Sequence, residues 1–407
     1  MTNKFSSKEI HFLKIDSDDF NFKPPEIYFS DLLLTKTIQM KAFEKRLSGT
    51  KIPGKEFLCA VIKIPTDVSE SIQEKAKDTF EATFNSFLDN KRGIWESLTE
   101  TSFVLAFWDY VNIEKASQFM VSLKDKISAA LKADIMIGIA KFPFHDFSKS
   151  QTFSNALKAI DHAAFFGSNS LIHFDATSLN ISADRLFGLN EYDMAIKEYQ
   201  KGLEIEPSDI NLINSLGVCF GIMGKLDKAK LEFENAMKIN PNELMVLYNI
   251  GLLYQIKGDI DKAIMYLRKA HGIKPSSFEV ELLLGHLLIK KEHPDQAIPH
   301  LEKASRANPK SGIAFRMKGE IYLVDNLPEK ASHEFNKAIK LNPSDAVSLS
   351  GYAKSLDLQG KNLNIALTFA KKSIAIEPEN QLFQKRLKTI QEKIEAGTLS
   401  DEQIKTA

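Results

Sequence analysis

ATSLNISADRLFGLNEYDMAIKEYQKGLEIEPSD (residues 176–209), INLINSLGVCFGIMGKLDKAKLEFENAMKINPNE (210–243) and LMVLYNIGLLYQIKGDIDKAIMYLRKAHGIKPSS (244–277) lie end to end and decide the fold. Written under one another, they align Pro207, Pro241 and Pro275; Pro309 and Pro343 continue the 34-residue spacing, and Pro378 follows at 35. A period of this length marks stacked supersecondary units, each unable to bury its apolar face alone.

Each proline has the same companions. Twelve residues before it stands Ala195, Ala229, Ala263, Ala297 or Ala331, with Ala366 completing the set; ten residues after it stands Gly217, Gly251, Gly285, Gly319 or Ala353. Small residues at two fixed places let two helices approach closely. Ile213, Leu216 and Phe220, then Leu247, Ile250 and Tyr254, give the face of a first helix. Tyr199, Phe233, Leu267, Leu301 and Phe335, eight residues before each proline, give the face of a second. Gly224, Gly258 and Gly360 sit where the first helix must stop; Glu292 and Asn326 hold that place in two repeats. The proline then blocks continuation of the second helix.

The pattern resembles the tetratricopeptide repeat. Six units are predicted over 176–380, followed by a capping helix over 381–396 with Phe383, Leu387, Ile390 and Ile394 on one side, and a frayed tail over 397–407.

If positions 4, 7, 8 and 11 of each first helix face the core, positions 2, 5, 9 and 12 form a second stripe. It reads Asn211, Asn214, Val218; Met245, Tyr248, Leu252, Gln255; Glu279, Leu282, His286, Ile289; Ile313, Arg316, Glu320, Leu323; and Val347, Ser350, Lys354, Asp357. An apolar middle between polar ends suits an amphipathic or extended peptide. Asn214 and Asn249 resemble the asparagines with which some tetratricopeptide domains clamp a terminal carboxylate. Asn180, Asp184 and Met245 stand where that clamp's basic partners belong, so no clamp is expected.

The remainder differs in composition: 20 of the 28 phenylalanines precede residue 176. After an irregular arm over 1–24, the order reads helix (27–47), strand (57–64), helix (69–88), a hairpin of 93–96 and 103–107 around 98–102, helix (113–131), strand (134–140), helix (153–166) and strand (171–174). Such alternation predicts an α/β (α+β) domain over 25–175, a sheet packed against helices, ahead of the all-α solenoid.

Leu34, Thr35, Ala42, Phe43, Arg46 and Leu47, then Ile137, Gly138 and Ile139, then Ala156, Ala159, Ile160, Ala163, Gly167 and Asn169, resemble framework positions of the diguanylate cyclase (GGDEF) domain. The resemblance implies a cyclase-like sheet and a bacterial signalling context. That chemistry needs carboxylates for two magnesium ions. Lys63 and Pro65 stand in place of the strand aspartates, and Thr99-Glu100-Thr101-Ser102-Phe103 in place of the glycine-bearing turn. Gln39 replaces the base-recognising asparagine, and no glycine lies between Thr66 and Arg92. A degenerate, non-catalytic domain is expected.

Lys plus Arg equals Asp plus Glu at 53 each, which gives no electrostatic basis for nucleic acid or an anionic membrane as partner. Cys59 and Cys219 are too few for a disulfide framework, and both read as buried small hydrophobes. The nine histidines lack a metal-ligand spacing, and His162 reads as structural or exposed. No membrane span or secretory leader is expected, and the localisation read is cytoplasmic. The function read is a protein-binding adaptor without catalysis, cofactor or metal, with a homodimer through the first domain implied by relatives that work as pairs. The alternative is a sensor that binds a nucleotide without turnover, with Lys63 and Arg92 as phosphate donors. An active cyclase using Asp67 and Glu100 ranks behind both.

Overall fold

The computed structural model describes residues 11–12, 28–34, 37–53, 56–64, 70–88, 92–108 and 113–405. The chain divides into two compact units, 14–239 and a second in which the segment carrying residues 11 and 12 joins 240–407.

In the first unit the strands are β1 (Phe57–Lys63), β2 (Gly93–Thr99), β3 (Ser102–Phe107), β4 (Met136–Phe142) and β5 (Leu171–His173). They form one sheet in the order β2-β3-β1-β4-β5, antiparallel except for the parallel β4–β5 pair. With α2 (Glu70–Leu88) and α3 (Ile113–Leu131) between strands, β1 to β4 follow the βαββαβ order of a ferredoxin-like sheet.

Both faces of the sheet are covered, so β1 reads as an unbroken apolar run. Phe57, Cys59 and Val61 pack with Phe43 of α1 (Ile38–Gly49) and Phe153 and Ile160 of α4 (Gln151–Ala164). Leu58, Ala60 and Ile62 point the other way, onto Phe80 and Phe84 of α2 and Met120 and Ile127 of α3. Gly138 lets α4 lie directly on β4: a Cβ there would meet the Ile160 backbone nitrogen at 2.2 Å.

The helix expected over 27–47 is two pieces, a 3-10 turn at Phe29–Leu33 and α1, because Thr37 caps α1 by accepting from the Met40 N–H at 3.3 Å. The hairpin is tighter than expected: β2 and β3 close around Glu100 and Thr101, with the Thr99 and Ser102 hydroxyls 2.6 Å apart. Thr35, Pro65, Asp67 and, apart from His11 and Phe12, the arm over 1–24 lie outside the described residues.

The repeats form six helix pairs. They are α5 (Ala176–Gly188) with α6 (Tyr192–Ile205), α7 (Ile210–Ile222) with α8 (Leu226–Ile239), and α9 (Leu244–Ile256) with α10 (Ile260–Ile273). Then come α11 (Phe278–Lys290) with α12 (Pro294–Ala307), α13 (Ile313–Val324) with α14 (Pro328–Leu341), and α15 (Ala346–Gln359) with α16 (Leu363–Ile376).

All six alanines ahead of the prolines are fully buried, as are Tyr199, Phe233, Leu267, Leu301 and Phe335. The glycines ten residues beyond receive those large side chains: a Cβ on Gly217 would stand 2.6 Å from the Phe233 ring, and one on Gly285 2.7 Å from Leu301. The capping helix α17 runs Gln381–Lys405, through the stretch expected to fray, with Phe383 and Ile390 buried.

Candidate functional site

In the second unit α9, α11, α13, α15 and α17 touch one another in succession, so the stripe beside their core positions runs along one wall. Met245, Tyr248, Asn249 and Leu252 come from α9, Leu282 and His286 from α11, Arg316 and Glu320 from α13, and Lys354 from α15. Asn211 and Asn214 stand on α7 and belong to the first unit, where Asn214 is buried. Tyr248, Asn249 and Leu282 have no exposed surface and Leu252 retains 5 %, whereas Met245, His286, Arg316 and Lys354 are half-buried. Burial holds the His286 imidazole down to about 4, with Lys290 and Arg316 adding repulsion, so it is neutral at pH 7.

Toward the cap the wall becomes charged. Arg316 reaches Asp345 at 3.4 Å, and Lys354 reaches Asp357 at 2.7 Å. Lys393 of α17 meets the other Asp357 oxygen, and Arg386 donates to the Ser350 hydroxyl at 3.0 Å. Glu320 keeps exposed surface, yet the atoms crowded around it raise its carboxyl above the usual range, with Arg316 opposing. The cap thus contributes two cations to this end of the wall, which the sequence analysis assigned only to covering the last core.

At the apolar end, burial raises the pKa of the Tyr248 hydroxyl, which has no hydrogen-bond partner among the described residues. Phe12 is 7 % exposed while His11 beside it is exposed. Sequence reasoning missed the burial of Phe12 because a single phenylalanine among charged residues has no period.

A second cluster was also missed. Glu281 of α11, without exposed side-chain surface, accepts from His271 Nδ1 of α10 and from His300 Nδ1 of α12 at 2.7 Å. Burial raises the Glu281 carboxyl, but the two imidazoles outweigh it and hold the group below its usual range. These ligand-type atoms lie within 4.8 Å of one another. The Lys303 ammonium lies 3.5 Å from His271 Nε2, which places the imidazole proton on Nδ1, toward Glu281. The group is a closed hydrogen-bonded triad with a cation alongside. A glutamate inside the apolar run VELLLG was its signal in the sequence.

In the first unit, Gln39, Glu74, Lys77, Glu96 and Glu100 line an open cleft beside the hairpin. Its acidic balance opposes a bound polyphosphate. Lys63 lies over the Phe29 ring at 4.5 Å, and burial lowers its pKa. Cys59 and Cys219 are both buried, and burial pushes the Cys59 thiol far up. Among the described residues no helix is long and apolar enough to cross a membrane.

Residues 176–209, 210–243 and 254–321 match family profiles of the tetratricopeptide repeat. The chain therefore carries tetratricopeptide repeats. Among the curated proteins none matches the sequence. YrrB, a tetratricopeptide protein with an unusual peptide-binding site, is 20 % identical over 47 % of this chain and 97 % of its own, with a TM-score of 0.42. Pseudomonas aeruginosa PilF is 18 % identical over 52 % of this chain and 95 % of its own, with a TM-score of 0.48. The type IV pilus biogenesis factor PilW is 18 % identical over 52 % and 98 %, with a TM-score of 0.45.

Proposed function

We propose that this tetratricopeptide-repeat chain is a non-catalytic adaptor that binds an extended or amphipathic peptide along the wall formed by its first helices. The observation that carries the reading is the accessible part of that wall: the half-buried Met245 and His286 at one end, over the buried Tyr248, Leu252 and Leu282, and the charged Arg316, Glu320 and Lys354 at the other. Met245 and His286 offer a weakly polar contact, and the charged end fixes direction and register. Asn211 and Asn214, on α7 of the first unit, are proposed as peptide-contacting residues of that unit.

The α/β domain is proposed to be a degenerate cyclase-type module that has kept a scaffold role. Its hairpin turn is built from Glu100 and Thr101, without the glycine that would admit a phosphate, and glutamates line the cleft beside it. These features weigh against the nucleotide-sensing alternative and further against turnover. A cytoplasmic signalling role in a bacterium is the corresponding setting.

Panning a random peptide display library on the full-length chain, then repeating it with Arg316→Ala/Lys354→Ala, tests the adaptor reading. Enriched peptides should share apolar anchors, and the double variant should bind them about 5- to 20-fold more weakly, the scale of two partly exposed charge contacts. Failure to enrich any peptide, or equal binding by a folded double variant, would sink it.

A further inference from the structure

We infer that His271, Glu281 and His300 form a site for a divalent transition-metal ion of the zinc type, which clips the third repeat to the fourth. The site is separate from the adaptor reading, since none of its residues is proposed to touch the peptide. His271 belongs to α10, the second helix of the third repeat, and Glu281 and His300 to α11 and α12 of the fourth. Three distant points of the chain therefore converge through packing, and their ligand-type atoms lie within 4.8 Å of one another. Glu281 has no exposed side-chain surface, and each of its oxygens faces the Nδ1 of an imidazole. The two rings meet edge to face, with centroids 5.2 Å apart. Their side chains keep 26 % and 19 % of their surface, which gives an ion a path in and water a place beside it.

The donor set selects the ion. Two imidazoles and one carboxylate are the ligands of three-coordinate protein sites that leave a fourth position to water on zinc. Magnesium and calcium ask instead for about six oxygens, which this cluster does not offer. Metal–ligand bonds of about 2.0–2.2 Å set neighbouring ligand atoms roughly 3.3 Å apart. His300 Nδ1 stands 2.7 Å from Glu281, so the ion parts that pair by about 0.6 Å, a small turn for a half-exposed ring. Coordination takes the Nδ1 lone pair, and the proton of the ring then sits on Nε2. For His271 this turns an N–H toward the Lys303 ammonium, 3.5 Å away, which must swing aside on its flexible stem. Lys303 therefore opposes the ion.

The test titrates Zn2+ into the full-length chain, freed of any affinity tag and treated with chelator, by calorimetry. One ion should bind per chain, and Co2+ in its place should show the visible absorption of a four-coordinate ion. His271→Gln and His300→Gln, each checked for fold by circular dichroism, should weaken Zn2+ binding at least about 100-fold, the upper end of what loss of a mere supporting contact costs. Lys303→Met, which removes a like charge beside the ion, should tighten it about threefold or more. At about 100 times its Kd, Zn2+ should raise the melting temperature by about 5 °C, and not that of His300→Gln. The internal control is His145→Gln. His145, Asp146 and Glu204 also lie within reach of one another, but all three are exposed and both carboxylates share the Lys201 ammonium. That variant should bind Zn2+ as the unaltered chain does.

No binding of Zn2+ by the unaltered chain overturns the inference, and so does equal affinity of folded His271→Gln or His300→Gln. Binding lost with His145→Gln, or weakened by Lys303→Met, overturns it as well, because the ion then sits elsewhere among the nine histidines. Mg2+ binding as tightly as Zn2+ would reduce the cluster to a diffuse negative charge and equally overturn it. None of these results bears on peptide binding, so the adaptor reading stands or falls by its own experiment.

Discussion

Glu281 shows at the residue scale how a solenoid tolerates a buried charge. Its carboxylate has no exposed surface, and each oxygen receives an imidazole from a different helix, tying α10, α11 and α12 together. Glu281→Gln leaves the shape intact but removes the charge that both imidazoles face, and breaking such a buried pair costs about 3 kcal/mol. The midpoint of urea unfolding should fall accordingly, and an unchanged midpoint would show that the triad contributes nothing.

His286 gives a pH prediction of defined sign. Its folded pKa of about 4 lies below the value of about 6.5 in an unfolded chain, so between those values the unfolded state binds a proton that the folded state refuses. Stability is therefore full above pH 6.5 and declines toward pH 4, by on the order of 2 kcal/mol from this group. His286→Asn should lose less stability than the unaltered chain between pH 7 and pH 4.5; equal loss would contradict the assignment.

Glu292 and Asn326 were readable as glycine substitutes in the repeat alignment, and both take the left-handed conformation, at φ 61° and 56°. Glu292→Gly relieves that strain and should raise thermal stability by about 0.5–1 kcal/mol, measured by scanning calorimetry.

Two glycine sites differ at the element scale although both permit close approach. At Gly138 an added Cβ meets backbone of α4 at 2.2, 2.5 and 2.7 Å, and backbone within a helix cannot step aside. Gly138→Ala should therefore separate β4 from α4 and cost about 3 kcal/mol or more, with reduced soluble yield. At Gly217 the obstacle is the Phe233 ring at 2.6 Å, a side chain with some freedom to shift, so Gly217→Ala should cost about 1–2 kcal/mol. Melting curves of the two variants decide the order, and a reversal would mean that the ring is the more rigid neighbour.

The elements also show what was legible and why. Six copies of one pattern reinforce each other, so helix pairs, glycine clefts and the large second-helix residues followed from the proline spacing alone. The sheet gave a weaker signal, because β1 is covered on both faces and shows a plain apolar run instead of alternation. Thr37 is a recognisable cap, yet the apolar pattern on either side of it reads as one continuous helix. On the stripe, the register assigned Tyr248 and Leu282 to a binding wall, but both have no exposed surface, because exposure is a property of what covers a residue and no spacing encodes that cover. The His271–Glu281–His300 triad was hidden for a related reason: its members come from three helices at spacings of 10 and 19, which match no ligand motif.

At the scale of the whole molecule, composition and packing divide the first unit differently. Phenylalanine content changes at residue 176, but α4, just before it, is buried on nearly every side. Its outer face, Lys158, Asp161 and His162, has the polarity of a solvated helix surface. Instead, Lys158 pairs with Glu198 of α6 at 2.6 Å, Asp161 accepts from the Phe29 and Ser30 N–H groups at 2.6 and 2.9 Å, and His162 Nδ1 meets the Ser178 hydroxyl of α5 at 3.1 Å. Arg185 of α5 holds Asp31 at 2.6 Å, and Leu179 belongs to the same apolar cluster as Phe57, Phe153 and Ile160. The core of the sheet domain therefore includes the first helix pair. A fragment ending at residue 175 removes Leu179 and the cover over α4, at about 2–3 kcal/mol for the leucine alone and several more for the surrounding contacts, a large part of the stability of a domain this size. Fragment 1–239 should be soluble and melt cooperatively, whereas fragment 1–175 should melt at least about 10 °C lower or aggregate. Equal melting temperatures would mean that the first repeat rests on a domain that does not need it, and the compositional break at 176 would then be the physical boundary as well.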